Sequence, residues 1–458
     1  MNIKEIDMTT GSLWKKIILF SLPLIASNLL QIVFNISDIA VAGNFAEENA
    51  LGSIGSTTIL VVLFTGFLIG LGSGINVIVA KYIGAKEKDN VHLTVTTSFL
   101  VAIVYGLIIY IISEATTKLI LLALGTNEEL LDGALNYSRI YFMGLPGLAI
   151  FNYGNALYSA NGNTKRPLLI LFSAGLINIG LNFLFVLVFK LGVIGVSLAS
   201  VISQYLSALF IVISLIREKS DIGLHFKHYC FDKQKAYEVL KIGIPTGFQN
   251  AIFAVANLFI QSGINTFDVN SINGISAATN ADNIIYDSLA AIYMGCSSFI
   301  SQNLGAKKRK RILKTYFITM IYSVSLGIIL GGLLIIFDRQ FLSIFANKEE
   351  VIEAGIQRIR IMGLSYWISA LMDCTIAASR GLGKTVWPTV ILISGSCIFR
   401  IVWLYTLFNH FKTIESLFLL YSCSWTITAI AEILYFYIAY KEVVKDKIPL
   451  ESKTDVKN

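Results

Sequence analysis

Residues 20–35 read FSLPLIASNLLQIVFN, and residues 241–257 read KIGIPTGFQNAIFAVAN. Placed in register, Pro23 matches Pro245, Asn28 matches Asn250 and Asn35 matches Asn257, at an offset of about 220 residues. The same offset pairs YIGAKEKDN (82–90) with NLGAKKRKR (303–311), RIYFMGL from Arg139 with RIRIMGL from Arg358, and Pro167 with Pro388. A single match between apolar segments means little, because apolar helices share a composition. Four matches in one order at one offset mean that the chain is duplicated.

Composition says where the two copies reside. Of 458 residues, 55% are hydrophobic and 14% charged, against about 25% charged in an ordinary soluble domain. The apolar residues fall in blocks of about 20, the length a helix needs to cross about 30 Å of hydrocarbon. Twelve spans are expected, at roughly 15–40, 51–80, 93–113, 133–159, 167–189, 192–216, 238–266, 273–303, 312–337, 351–378, 388–408 and 414–440. The first lacks a small-residue cleavage site and reads as a membrane span instead of a signal peptide. The fold class is thus an all-α membrane protein with two pseudo-symmetric six-helix bundles. The expected domains are an N-terminal bundle (1–216), a cytoplasmic connector (217–237), a C-terminal bundle (238–441) and a cytoplasmic tail (442–458). An even number of spans per copy makes the repeats parallel, with a path for a transported molecule between them.

The net charge of +7 is a topology signal. Lys4, Lys15, Lys16, Lys81, Lys86, Lys88, Lys165 and Arg166 fall on the same side of the expected spans as the basic residues of 217–241, 307–314, 380–384 and 441–457. That face collects 27 Lys and Arg, and the other only five: Lys118, Lys190, Arg339, Lys348 and Lys412. The positive-inside rule then puts both termini in the cytoplasm of a multi-pass plasma-membrane protein. This distribution gives no reason to expect nucleic acid as a partner. Membrane lipid and small molecules are the expected partners, and the sequence does not give an oligomeric state.

Acids inside a span cost about 2.5–3.5 kcal/mol each on insertion scales, so they mark function first. Asp38 lies on a polar stripe with Asn28, Gln31 and Asn35, spaced 3, 4 and 3, which is one helical face. Such an acid can exchange a proton or hold a cation; it can also serve as a helix–helix contact or sit at the outer water interface. Asn178 and Asn182 lie one turn apart in span five, and Ser200 and Gln204 in span six. Their oxygens can complete a cage around Na⁺ or hydrogen-bond a carboxyl group, or simply join helices. In the second half, Asp373 and Glu432 are intramembrane acids, Glu432 on a stripe with Trp425, Thr428 and Tyr435, and Asp282 and Asp287 open span eight. Aromatics beside an acid suit a cationic, amphipathic ligand. Arg400 is expected to pair with Asp373 or Glu432.

Other motifs fail. ASRGLGKT (378–385) lacks the first glycine of a phosphate-binding loop and follows an apolar span instead of a strand. GLGSG (70–74) reads as small-residue helix packing. The four histidines (His92, His225, His228 and His410) have no metalloprotease or triad spacing, and the five cysteines form no CxxC pair. These absences argue against an intramembrane enzyme and give no reason to expect a structural metal or prosthetic group.

PLIASNLLQIVFNISDIAVAGN (23–44), AKYIGAKEKDN (80–90), GNTKRP (162–167) with INIGLNFLFV (177–186), SQNLGAKKRKR (301–311) and SRGLGKT (379–385) together resemble the multidrug and toxic compound extrusion (MATE) transporters of bacterial type. The resemblance covers about residues 10–440. It implies two six-helix bundles around a cavity that opens alternately to each side, and export of amphipathic, often cationic compounds against inward Na⁺ or H⁺. It implies further that Asp38 is the central cation-binding residue, with a transient Na⁺ or proton as the only cofactor-like species, and that Asn178 and Ser200 are companion ligands. Asn182 stands where the resemblance implies a second aspartate, and span seven has no match for the glutamate of another branch. The expected coupling set is Asp38, Asn35, Asn178, Asn182 and Ser200; the expected substrate cavity adds Gln31, Asn257, Asp373, Trp425 and Glu432. Two other readings stay open: a flippase for lipid-linked precursors, which would want a more cationic cavity, and a membrane scaffold without transport.

Overall fold

A computed structural model describes residues 5–46, 49–225 and 230–449. Lys4, His228 and the end of the tail lie outside the described residues. The first half forms α1 (Leu13–Phe45), α2 (Ala50–Ala85), α3 (Lys88–Ala123), α4 (Glu128–Phe142), α5 (Leu145–Ala160), α6 (Lys165–Phe183, continued by a π turn over Leu184–Val188) and α7 (Gly192–Ile216). The second half forms α8 (Lys233–Ile264), α9 (Val269–Gly305), α10 (Arg309–Ile336), the short α11 (Asp338–Leu342), α12 (Glu349–Gly363) and α13 (Tyr366–Gly381). It ends with α14 to α16, a run from Val386 to Phe411 interrupted by two π turns, and α17 (Ile414–Tyr440).

Among the described residues, ten helices are long and apolar enough to cross a membrane, and α12 with α13 makes an eleventh bent by 44°. The twelve expected spans all fall on helices, but two of them are broken. The fourth is two helices of 15 and 16 residues, α4 and α5, parted at Met143 and Gly144. Its repeat mate breaks at the corresponding place, after RIRIMGL. Large apolar side chains such as Ile111, Leu119, Val188, Ile336 and Leu434 are exposed on the outer helix faces, as a hydrocarbon environment requires.

The duplication is written in the backbone as well. Lys86 and Lys307 adopt positive φ (59° and 55°), as do Gly162 and Gly383 (81° and 78°) and Lys190 and Lys412 (52° and 51°). Each pair is about 220 residues apart, so the turns that end the helices are copied along with the helices.

The described residues form two compact units, those of 5–7 with 26–251 and those of 8–25 with 252–449. The units divide α1 two residues after Pro23 and α8 six residues after Pro245. A proline inside a helix removes one backbone hydrogen bond and favours a bend, so each long helix has a weak point near its cut.

In the first unit, the early turns of α8 lie directly on α2. Gly70 and Gly74 face Gly247, Gly243 and the Val239 carbonyl so closely that a Cβ at either glycine would overlap α8 backbone. Asn250 Nδ2 donates to the Gly66 carbonyl at 3.1 Å, and Lys235 Nζ donates to the Tyr82 hydroxyl at 2.6 Å. In the second unit, the early turns of α1 pack on α9 and α10. Trp14 meets Tyr322 edge-to-face at 5.2 Å and Phe20 meets Phe299 at 5.5 Å. Arg311 donates to the carbonyls of Met8, Thr10 and Gly11, tying down the segment that leads into α1.

Replacing Gly74 by leucine should destabilise the protein by about 1–3 kcal/mol, as overpacking does. Leucine at Gly180, which has open space around it, should leave stability near wild type. Thermal unfolding in detergent compares the two; equal midpoints would contradict the close α2–α8 packing.

Candidate cation and substrate sites

Asp38 lies on the later part of α1, half-buried in the first unit. α6 and α7 supply its partners. Asn182 Nδ2 donates to Asp38 Oδ1 at 2.5 Å, and Ser200 Oγ donates to Asp38 Oδ2 at 3.2 Å. Asn182 Nδ2 also lies 3.3 Å from Asn178 Oδ1, one turn earlier on α6. Asn182 and Asn178 are buried, as is Ser200. The π turn of α6 begins two residues after Asn182, a widening of the kind often found at functional sites.

The arrangement is rich in acceptors. Two carboxylate oxygens, the Asn178 amide oxygen and the Ser200 hydroxyl gather around the Asn182 amide and Asp38, and Asn182 Oδ1 is enclosed without a hydrogen-bond partner among the described residues. Oxygen groups around one carboxylate fit a proton or a single hard monovalent cation. Tyr137 and Tyr141 stack at 5.8 Å, and both lie within the electrostatic reach of Asp38. Of the five expected coupling residues, four come together. Asn35 does not: it is exposed and makes no side-chain hydrogen bond among the described residues. Gln31 is likewise exposed, with its amide turned to the Ser27 carbonyl of its own helix at 3.5 Å.

In the second unit the expected pairing of Arg400 with Asp373 or Glu432 does not form. The buried ion pair joins Arg358 to Asp282, which also accepts the Tyr366 hydroxyl proton. Arg400 is held by aromatic rings and by Ser424 instead. Asp373 accepts from Ser369 Oγ at 3.2 Å. Glu432 is fully buried, and neither carboxyl oxygen has a hydrogen-bond partner among the described residues. Asp373 and Arg380 lie within its electrostatic reach. Trp425 is buried between Tyr286 and Tyr421, and Asn257 is exposed on α8.

The MatE family model matches this chain twice, over residues 23–184 and 245–406. The chain belongs to the MatE family. Its two matches coincide with the two copies seen in the sequence. Relatives of this MatE chain include the probable multidrug resistance protein YoeA of Bacillus subtilis, 26% identical over 83% of this chain and 84% of YoeA. The multidrug export protein MepA of Staphylococcus saprophyticus is 21% identical over 96% and 97%. Among solved structures, a MOP superfamily transporter from Pyrococcus furiosus superposes with a TM-score of 0.89 at 18% identity, covering 97% of this chain and 99% of that one. An outward-facing MATE family transporter also gives 0.89, at 17% identity and the same coverage. These likenesses establish the MatE fold.

Three features of this MatE chain lie beyond sequence reasoning. The Gln204 amide oxygen packs where a Cβ on Gly144 would lie, at the break between α4 and α5, and only the residue type of Gln204 is visible in the sequence. Tyr137 and Tyr141 carry no signal beyond helical spacing. The Asp282–Arg358 pair is hidden because its partners are 76 residues apart, on α9 and α12.

Removing one member of that buried pair, as in Arg358→Met, should cost about 3–5 kcal/mol, while Arg358→Met with Asp282→Leu should recover most of the loss. Thermal unfolding of both variants tests this. A single variant as stable as wild type would rule out the pairing.

Proposed function

We propose that the chain is a secondary antiporter of the plasma membrane that exports amphipathic, cationic organic compounds in exchange for H⁺ or Na⁺. The observation that carries this reading is Asp38, an acid inside a span, held by Asn182 and Ser200 with Asn178 alongside. The names of YoeA and MepA as multidrug proteins support the substrate class. The lysine and arginine distribution supports cytoplasmic termini.

The proposed cycle follows from electrostatics. An unoccupied Asp38 carries a charge that hydrocarbon and sealed protein disfavour. A proton or Na⁺ arriving from outside neutralises it and changes which hydrogen bonds Asn182 and Ser200 make, favouring one arrangement of the first unit. Release of the ion on the cytoplasmic side restores the charged state. A tenfold inward concentration gradient of one monovalent ion supplies about 1.4 kcal/mol, enough for about tenfold accumulation of a monovalent cation exported in a one-for-one, electroneutral exchange. With Asn182 in place of a second acid, the first unit carries one ion per cycle. The reading needs no prosthetic group and no enzymatic step.

Dye uptake into inside-out vesicles, with Na⁺ and pH gradients imposed separately, tests the proposal. Wild type should respond to one of the gradients, and Asp38→Asn should lose that response at least about tenfold, the scale of about 1.4 kcal/mol, while still reaching the membrane. Full ion-driven uptake by Asp38→Asn would refute the mechanism.

A further inference from the structure

Arg400 is among the largest side chains in the protein to be almost wholly buried, at 2% exposure. A guanidinium is charged at any accessible pH and has five N–H donors in a planar fork. Here one of them is used: Nε donates to Ser424 Oγ at 3.2 Å. No carboxylate forms an ion pair with Arg400 among the described residues. Asp282, which like Arg400 lies within the electrostatic reach of Tyr421, is already engaged by Arg358 and Tyr366. Asp373 lies within the electrostatic reach of Arg400 without forming an ion pair with it, and takes its hydrogen bond from Ser369.

The faces of the guanidinium are answered by rings. Tyr421 lies 4.4 Å from its central carbon, Phe253 5.7 Å and Trp425 6.0 Å. Cation–π contact of this kind stabilises the charge above and below the plane, but it leaves the Nη hydrogens at the edge without an acceptor. Those edge groups also differ from the buried Arg358 in access. Nε and Nη1 of Arg358 are enclosed without partners, whereas neither Nη of Arg400 is enclosed in this way. Tyr421 and Phe253 are themselves only half-buried.

We propose that Arg400, walled by Tyr421, Phe253 and Trp425, is a binding site in the second unit for the carboxylate of an aromatic compound. The fork geometry accepts a carboxylate through two parallel hydrogen bonds, and the rings receive a flat apolar body. The charge of Arg400 repels the cationic end of an amphipathic molecule, so that end is held elsewhere. The inference rests on the reading of the chain as an exporter of amphipathic compounds and adds to it: compounds that also bear an aromatic carboxylate are held by that group in the second unit.

The test uses the purified full-length chain in detergent and two probes of one shape, naphthoate and naphthylmethanol, measured by equilibrium dialysis. Naphthoate should bind at least about tenfold tighter than the neutral alcohol, the scale of one charge-assisted hydrogen-bonded contact. Arg400→Gln should erase the preference, and Arg400→Lys should retain part of it. Equal binding of naphthoate and naphthylmethanol to wild type, no binding of naphthoate, or a preference that survives in Arg400→Gln would each overturn the proposal. The probe comparison on wild type decides the matter even where Arg400→Gln does not fold. Failure here leaves the ion dependence at Asp38 untouched, so it is distinguishable from failure of the antiport reading.

Discussion

A carboxylate held away from water must find its hydrogen bonds in the protein, and Asp38 finds them on two other helices. Asn182 of α6 and Ser200 of α7 each donate to one of its oxygens. That arrangement fixes α1, α6 and α7 against one another in the first unit, and it leaves the charge of Asp38 without a cationic partner among the described residues. A buried lysine or arginine there would lock the site; neutral amides and a hydroxyl keep it responsive to an ion.

The second unit solves the same problem in other ways. Asp282 is neutralised by Arg358. Arg400 is sheltered by aromatic faces, and Glu432 lies buried with its carboxyl oxygens unbonded among the described residues. Two copies of one ancestral sequence thus carry different charges in similar frames. The duplication supplies the frame; the polar substitutions give each half its own chemistry.

Much of this is legible in the sequence. The matched prolines, the two GAK turns and the duplicated RI…MGL segments announce the repeat, and the positive-φ pairs at Lys86 and Lys307, and at Gly162 and Gly383, show that the resemblance extends to the turns. The Asp38 stripe points to its site because an acid in a span is costly and periodicity shows its face. The partners of Arg400 are not legible, since helix rotation and packing between α8, α14 to α16 and α17 decide which side chains it meets. Nor is the division of α1 and α8 between units visible, because a proline in an apolar helix does not reveal which neighbours flank each side of it. The broken fourth span is hidden for a related reason: Gly144 matters through the space taken by Gln204, a contact from another helix.

If Asp38 couples ion to substrate, an ion bound there and a bound substrate must influence each other. Coupling between two ligands is reciprocal and is read from affinity alone. The direct measurement is the Kd of a cationic dye for the purified protein across Na⁺ concentration and pH, in wild type and Asp38→Asn. A shift of about 5- to 150-fold is expected in wild type with one of the two ions, and a flat response in Asp38→Asn. The same ion dependence in both proteins would show that Asp38 does not carry the coupling.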